Sequence, residues 1–370
     1  MERFAYELWL KPRICHDLFH DQFAFIRLPG HGCTVALTLL LGLITAHIDK
    51  GGVARLLALD LSKAFDRVLH QVCIQRLIDA GVCKEGVAWI ENYLSCRFQR
   101  VVCGHSASAW VRVTCGVPQG SVLGPILFSF FIAPLRPRCD NMRYIKFADD
   151  LSIVEFTQPN QSTKACLELG HVSEWCNVNG MLLNHSKSQY MVFGRPNSTI
   201  EVISINGNVL TRVDSLQLLG VFIQSNLKWN LQVDYAVSRA SRSLFGILQL
   251  SRASCTPILM WHVYTALIRS ILTYAFPACC GLPDCLFSKL EKVEKLACRM
   301  MQTRASVTLS EFCNSLCVAL MRAVNIFPSH PLRELFIERF HPSTRTKFHL
   351  IAPLARTAKY GRSFIRFYNC

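Results

Sequence analysis

The succession of apolar and polar positions gives this chain a strand-bearing first part and a helix-rich remainder. Residues 53–60 are almost wholly apolar on both alternating faces, as in a strand at the centre of a sheet, and they end on Asp60. Two further apolar runs, 144–148 and 151–156, flank Asp149 and Asp150, which predicts a hairpin with both acids at or beside its turn. Residues 98–103 and 110–115 alternate around Gly104-His-Ser-Ala-Ser and predict a second hairpin, and 218–223 reads as one further strand. Helical spacing of Leu69, Cys73, Leu77 and Ala80, closed by Gly81, predicts a helix after the first strand. Further helices are expected around Trp89–Leu94, over 122–134 and over 163–176. From 231 the helical period takes over, with stripes at Val233, Ala236, Val237, Ala240, Leu244 and Ile247, then over 257–274 and 286–300. After 303 the pattern turns irregular and basic, and the whole reads as an α+β chain.

Composition narrows the choice. A chain of 370 residues, 51% of them apolar, can bury a substantial core. The most hydrophobic run, Val35–Ala46, is about a dozen residues against the ~20 that span a bilayer, so it is expected as a core helix, with no membrane partner. No signal-peptide pattern is visible, and 18 cysteines without regular pairing point to reduced thiols in the nucleus or cytoplasm. Cys279, Cys280, Cys313 and Cys317 are read as small buried hydrophobes, zinc ligation being the rival. A net charge of +15 favours a polyanionic partner, most economically nucleic acid. On the helix over 286–300, Lys289, Lys292, Lys295 and Arg299 form a basic stripe beside Leu290, Val293 and Leu296, either a solvated face or a phosphate contact. Residues 329–370 hold eight Lys or Arg against two Glu.

The chemistry begins with the acids. Two like charges side by side repel, and a packed hairpin that holds them, together with a third acid upstream, suits a bound divalent cation. Asp60 closes Leu56-Leu-Ala-Leu-Asp60, and between it and the acid pair lies Gly116-Val-Pro-Gln-Gly-Ser-Val-Leu-Gly-Pro125. The segments "ALDLSKAFD", "GVPQGSVLGP" and "FADD", followed by "LLNHSKSQYMVFG" and "LQLLGVFIQSNLKW", stand in the order found in reverse transcriptases of non-LTR (LINE-type) retrotransposons, which the chain resembles from about residue 20 onward.

The resemblance implies a right-hand polymerase that copies RNA into DNA, with RNA template, DNA primer and deoxynucleoside triphosphates as partners. It implies two Mg²⁺ (or Mn²⁺) ions at Asp60 and Asp149, the Leu61 carbonyl completing one shell and Asp150 as a supporting charge. Backbone N–H groups of Ser62, Lys63, Ala64 and Phe65 would form a nest for the triphosphate, and the Phe65 ring would exclude a 2′-hydroxyl unless it is only a core residue. Gln119 and Gly120 would sit beside the incoming nucleotide. Lys187 is a candidate proton donor to the leaving pyrophosphate, or a plain surface lysine. Leu219, Gly220 and Val221 resemble the strand that grips the primer end.

The expected division is partial fingers over 1–52, an antiparallel palm over 53–230, helical thumb over 231–303 and a basic C-terminal segment over 304–370. The N-terminus is expected to be incomplete, because the family's earlier finger motifs have no counterpart and "DQFAF" (21–25) leads into an irregularly spaced segment. To meet the triphosphate charge the region before Asp60 offers Lys11, Arg13, Arg27, Lys50 and Arg55, only Arg27 of them near a family-like segment, so a poor polymerase is expected despite an intact metal site, and the palm and the apolar helix 35–46 are expected to keep an uncovered face. The rival readings are a catalytically impaired relic that only binds nucleic acid, and an RNA-dependent RNA polymerase, which Phe65 disfavours.

Overall fold

The computed structural model describes residues 1–196, 202–340, 348–353, 355–357 and 363–364; the remainder of the basic C-terminal segment lies outside the described residues. In chain order the principal elements are helix α1 (Cys33–Asp49), strand β1 (Val53–Asp60), helices α2 (His70–Asp79), α3 (Lys84–Leu94) and α4 (Gly124–Ile132), and strands β2 (Met142–Phe147) and β3 (Asp150–Thr157). Helix α5 (Ala165–Val178), strands β4 (Gln189–Phe193), β5 (Thr211–Arg212), β6 (Ser215–Leu218) and β7 (Val221–Gln224), and helices α6 (Asn230–Arg252), α7 (Asp284–Met300) and α8 (Leu309–Ile326) follow. By their contacts the residues group into two units: Met1–Gly32, Arg55–Tyr190 and Asn197–Arg212 in one, Cys33–Ala54, Met191–Pro196 and Val213–Cys370 in the other.

The sheet runs β5-β4-β1-β3-β2, so the doubly apolar strand is central, as its composition requires. β2 and β3 pair antiparallel from Met142↔Glu155 to Phe147↔Asp150. The sheet is not antiparallel throughout, because Thr211 and Arg212 join β4 in parallel at Gln189 and Tyr190, and the long stretch between these strands permits that crossover. Arg55, inside β1, is buried and donates to Glu155 Oε2 (3.3 Å) and Thr157 Oγ1 (2.8 Å). It is therefore a core ion pair, and the expectation that its charge would meet a triphosphate is overturned.

In the second unit, α1 is buried along Val35–Leu41 and at Ile44, and packs against the short turns Phe276–Cys279 and Pro331–Leu335. A Cβ on Gly42 would stand 2.6 Å from Leu335 Cδ1, a measure of how closely that turn lies on the helix. The expected uncovered face of α1 is thus covered from the far C-terminal part of the chain. Two further expectations change here. The run 218–223 is not one strand but the middle of the β6–β7 hairpin, reversing at Leu219 (φ 47°) and Gly220 (φ 79°). The stretch after 303 is not irregular: α8 buries Leu309, Cys313, Cys317, Met321 and Val324, and opens with a capping box between Thr308 and Glu311.

On α7, Leu290, Val293 and Ala297 face the core while Leu296 stays exposed. Glu294 is also buried, where it accepts from Arg269 (2.6 Å), Tyr264 (2.9 Å) and the Leu309 amide (2.8 Å). Cys279, Cys280, Cys313 and Cys317 are buried, and burial pushes the thiols of Cys279 and Cys313 up to about 12, so they fill space as neutral small side chains. Among the described residues no helix is long and apolar enough to cross a membrane.

Candidate active site

The site is built at one end of β1 and at the β2–β3 turn. Asp60 is half-buried at the last position of its strand, and its backbone is clipped to the loop before β4: Asn184 N donates to Asp60 O (2.8 Å) and Asp60 N donates to Ser188 Oγ (3.3 Å). Leu61 bridges Leu183, and Ser62 N donates to Leu182 O (2.8 Å). That bond removes Ser62 from the expected phosphate nest and narrows it to Lys63, Ala64 and Phe65, where the chain passes through a left-handed Lys63 (φ 49°) into a 3₁₀ turn. Lys187 is exposed on the 184–188 loop that is bonded to Asp60.

Phe65 is half-buried, its ring stacked on Phe128 with centroids 4.6 Å apart and met edge-on by Phe25. Gly116 lies so close under this turn that a Cβ would stand 2.7 Å from Asp66 O, and its φ of 84° is one that side chains rarely adopt. Gln119 is exposed and held by Asp66, Nε2 donating to Oδ1 at 2.7 Å, and Gly120 faces open space.

Asp149 sits in the hairpin turn and Asp150 is the first residue of β3, with Ala148 in the left-handed region (φ 56°) before them. Burial, then the charge of Asp60, raises the carboxyl pKa of Asp149; burial, then Asp149 and Asp60, raises that of Asp150. Asp149 thus feels the charge of Asp60, and Asp150 feels both, so negative charge on the hairpin pair is disfavoured unless a cation offsets it.

Sequence reasoning missed what holds this turn. Gln22, fully buried, accepts through Oε1 from Ala148 N (3.1 Å) and from Ala24 N (3.1 Å), and its segment bridges β2 in parallel at Lys146. Next to it Asp21 pairs with the buried Lys146 (3.0 Å) and with Arg136 (3.0 Å), and Lys146 also donates to Leu135 O (2.9 Å). Burial lowers Lys146 to about 8, with Asp21 opposing. The signal available was a charged lysine at an inward position of an apolar strand, which demands a partner.

Does this arrangement fit divalent ions? Among the described residues no three His, Cys, Asp or Glu side chains stand in ready ligating geometry. The donor set nevertheless suits Mg²⁺, which keeps several waters and takes only one or two carboxylates along with substrate phosphates. Two crowded acids with raised pKa values are a field that a cation relieves. Leu219, Gly220 and Val221 lie in the second unit, at the β6–β7 turn, where Leu219 O accepts from Tyr274 OH (2.8 Å).

Comparison with known proteins agrees with the motifs. The chain is 26% identical over 230 residues to "Putative 115 kDa protein in type-1 retrotransposable element R1DM" of Drosophila melanogaster, covering 59% of this chain and 22% of that protein. It is 26% identical over 221 residues to "RNA-directed DNA polymerase from mobile element jockey" of Drosophila funebris (57% and 24%), and 28% identical over 220 residues to "Probable RNA-directed DNA polymerase from transposon X-element" of Drosophila melanogaster (57% and 24%). The chain thus spans about a quarter of the length of these relatives. Among solved structures, the telomerase of Candida albicans in complex with a fragment of telomeric RNA aligns at TM-score 0.45 and 10% identity, over 88% of this chain and 52% of that one. The family model described as "Reverse transcriptase (RNA-dependent DNA polymerase)" matches residues 9–223, more than half of the chain, and the chain belongs to that family.

Proposed function

We propose that this chain is the polymerase portion of a non-LTR retrotransposon protein and copies RNA into DNA by nucleotidyl transfer. The observation that carries the proposal is the electrostatic convergence of Asp60, Asp149 and Asp150 at adjoining strand ends. Asp60 and Asp149 would hold Mg²⁺ or Mn²⁺, with the Leu61 carbonyl beside them and Asp150 adding charge. When bound, such ions neutralise the charge that grows on the attacking and leaving oxygens of phosphoryl transfer.

The remaining residues position and select. Lys63, Ala64 and Phe65 offer amides to the triphosphate at the turn after β1. The exposed part of the Phe65 ring would crowd a 2′-hydroxyl, while its stacking on Phe128 keeps it from yielding. Gln119, held by Asp66, would support the nucleotide base, and Gly120 leaves room for it. Lys187, on a loop tied to the Asp60 backbone, would give a proton to the departing pyrophosphate. Leu219, Gly220 and Val221 would hold the primer end. The test is extension of a DNA primer on an RNA template with deoxynucleotides and Mg²⁺, with Asp149→Asn as control; no extension by the parent chain would refute the proposal.

A second reading, a chain that binds nucleic acid without copying it, draws on the lack of ready ligating geometry among the described acids. RNA binding without extension at any Mg²⁺ or Mn²⁺ concentration would favour it.

A further inference from the structure

Residues 98–112 form an arm in which every one of the fifteen positions is exposed. Its two ladders are short, Phe98–Gln99 with Val111–Arg112 and Val102–Cys103 with Ser106–Ala107, reversing at Gly104 (φ 58°). The base is firm by contrast. Arg97 donates to Leu94 O (3.2 Å) and to Gly116 O (2.7 Å), Val113 N donates to Arg97 O (2.9 Å), and Cys115 bridges Leu69.

The arm's surface is unusual for a solvated hairpin. Phe98, Val101, Val102, Trp110 and Val111 are 58–72% exposed, and a lone two-stranded hairpin with bare apolar residues is only marginally stable in water. Arg100 lies over the Trp110 ring at 4.6 Å, and Arg112 is the residue directly across the ladder from Phe98, so each of the two aromatic positions has an arginine as its neighbour. No Asp or Glu occurs anywhere from 92 to 139. Rings with neighbouring arginines, free of acids, match an unpaired nucleic-acid strand: bases stack on the rings and phosphates meet the guanidinium groups. An apolar protein partner would explain the rings but not the 48-residue absence of acids.

We propose that the 98–112 arm holds the unpaired RNA template, with bases stacking on Phe98 and Trp110 and phosphates meeting Arg100 and Arg112. The proposal rests on the RNA-copying reading for the identity of the strand. The arm leaves Gly116 and the Gln119 segment directly from its base, so a strand held along it is continuous in the chain with residues assigned to the nucleotide.

The test uses the full chain and fluorescence anisotropy, without nucleotides, on two probes: an RNA–DNA duplex with a 5′ RNA overhang and the same duplex cut blunt. The parent should bind the overhang probe more tightly. Phe98→Ala with Trp110→Ala should weaken overhang binding by roughly tenfold or more and leave the blunt duplex unchanged, given what each stacked base contributes. Phe98→Tyr with Trp110→Phe should restore it. Arg100→Gln with Arg112→Gln should flatten the salt dependence by about 0.7 per arginine in log–log slope. Unchanged overhang affinity in the alanine pair would overturn the proposal, as would an equal loss on the blunt duplex. A shift from dimer to monomer in sedimentation with RNA affinity intact would show instead that a second copy covers the patch. Failure of the polymerase reading looks different: the parent would not extend primers, yet overhang binding would still depend on the rings.

Discussion

Two hairpins in the first unit are both legible as strand–turn–strand sequence and end in opposite states. The Asp149 hairpin is walled by β1 on one side and by the 21–23 segment on the other, and Gln22 fastens its turn at Ala148. The 98–112 arm is fastened only at its base. The difference lies in neighbours, not in propensity: a strand with partners on both sides is rigid enough to hold like charges together, whereas a lone ladder can move with a ligand. Chemistry belongs on the first kind of hairpin and reach on the second.

The sharpest way to break this contrast is charge removal at the rigid turn. Asp149→Asn or Asp60→Asn should lower primer extension by a hundredfold or more, as loss of a principal electrostatic contact typically does. Overhang RNA affinity should stay near parental; extension at the parental rate by either variant would sink the assignment. The two hairpins would then differ as claimed, one changing rate and the other affinity.

A smaller effect should follow from loosening the fastening. Gln22→Ala strands the buried amides of Ala148 and Ala24, which should cost about 1–3 kcal/mol of stability by denaturant titration. It should also lower kcat while KM for nucleotide moves little, and raise the Mg²⁺ concentration needed for half-maximal rate. Gln22→Glu, which keeps the accepting oxygens, should recover part of the Mg²⁺ dependence; a stability loss with unchanged Mg²⁺ dependence would leave Gln22 a packing residue only.

Phe65→Val should raise ribonucleotide over deoxynucleotide incorporation, measured as the ratio of kcat/KM values, because it withdraws bulk rather than charge. An unchanged ratio would assign the ring to its stack with Phe128 alone.

The raised pKa values of Asp149 and Asp150 carry a sign opposite to that of a salt-bridged acid. The folded state binds these protons more tightly than the unfolded state, so their contribution favours folding below the unfolded carboxylate pKa and is lost as pH rises through the folded values. Near neutral pH without metal, Asp150→Asn should therefore stabilise slightly, by less than about 1 kcal/mol, since solvent still reaches enough of this partly buried side chain to screen its neighbours. Mg²⁺ should stabilise the parent more than this variant in thermal melts, and equal Mg²⁺ shifts would separate the acids from any ion.

The smallest effect is expected on α7. Lys289 is already paired with Asp234 (2.6 Å) and Lys295 with Glu291 (3.0 Å). Replacing Lys289, Lys292 and Lys295 together by Gln should alter the salt slope of duplex binding less than the two arm arginines alter that of the overhang. A larger change would make α7 the principal phosphate contact.

Much of the site was legible in one dimension because its parts are strand ends. A doubly apolar run ending in Asp60 and an apolar–Asp–Asp–apolar run each state their own geometry. Less legible were features whose reason is a distant partner. Arg55 looked like an available cation until Glu155, a hundred residues on, was seen to take it. The β6–β7 reversal has only Gly220 as a local signal, and the left-handed Leu219 beside it stands in an apolar run that reads as one strand. The α8 helix is a different case, because its Thr308–Glu311 capping box is a local signal that the sequence itself carries.

By itself, then, the sequence determined the family, the order of the motifs, the central strand and the identity of the acids, since each depends on local pattern and chemical type. Tertiary structure alone decided which charges are free and which are spent, that the far C-terminal turn covers α1, and that of two similar hairpins one is clamped and the other bare. Burial and pairing are properties of neighbours, and residues such as Gln22 and Ala148 become neighbours only when the chain has folded.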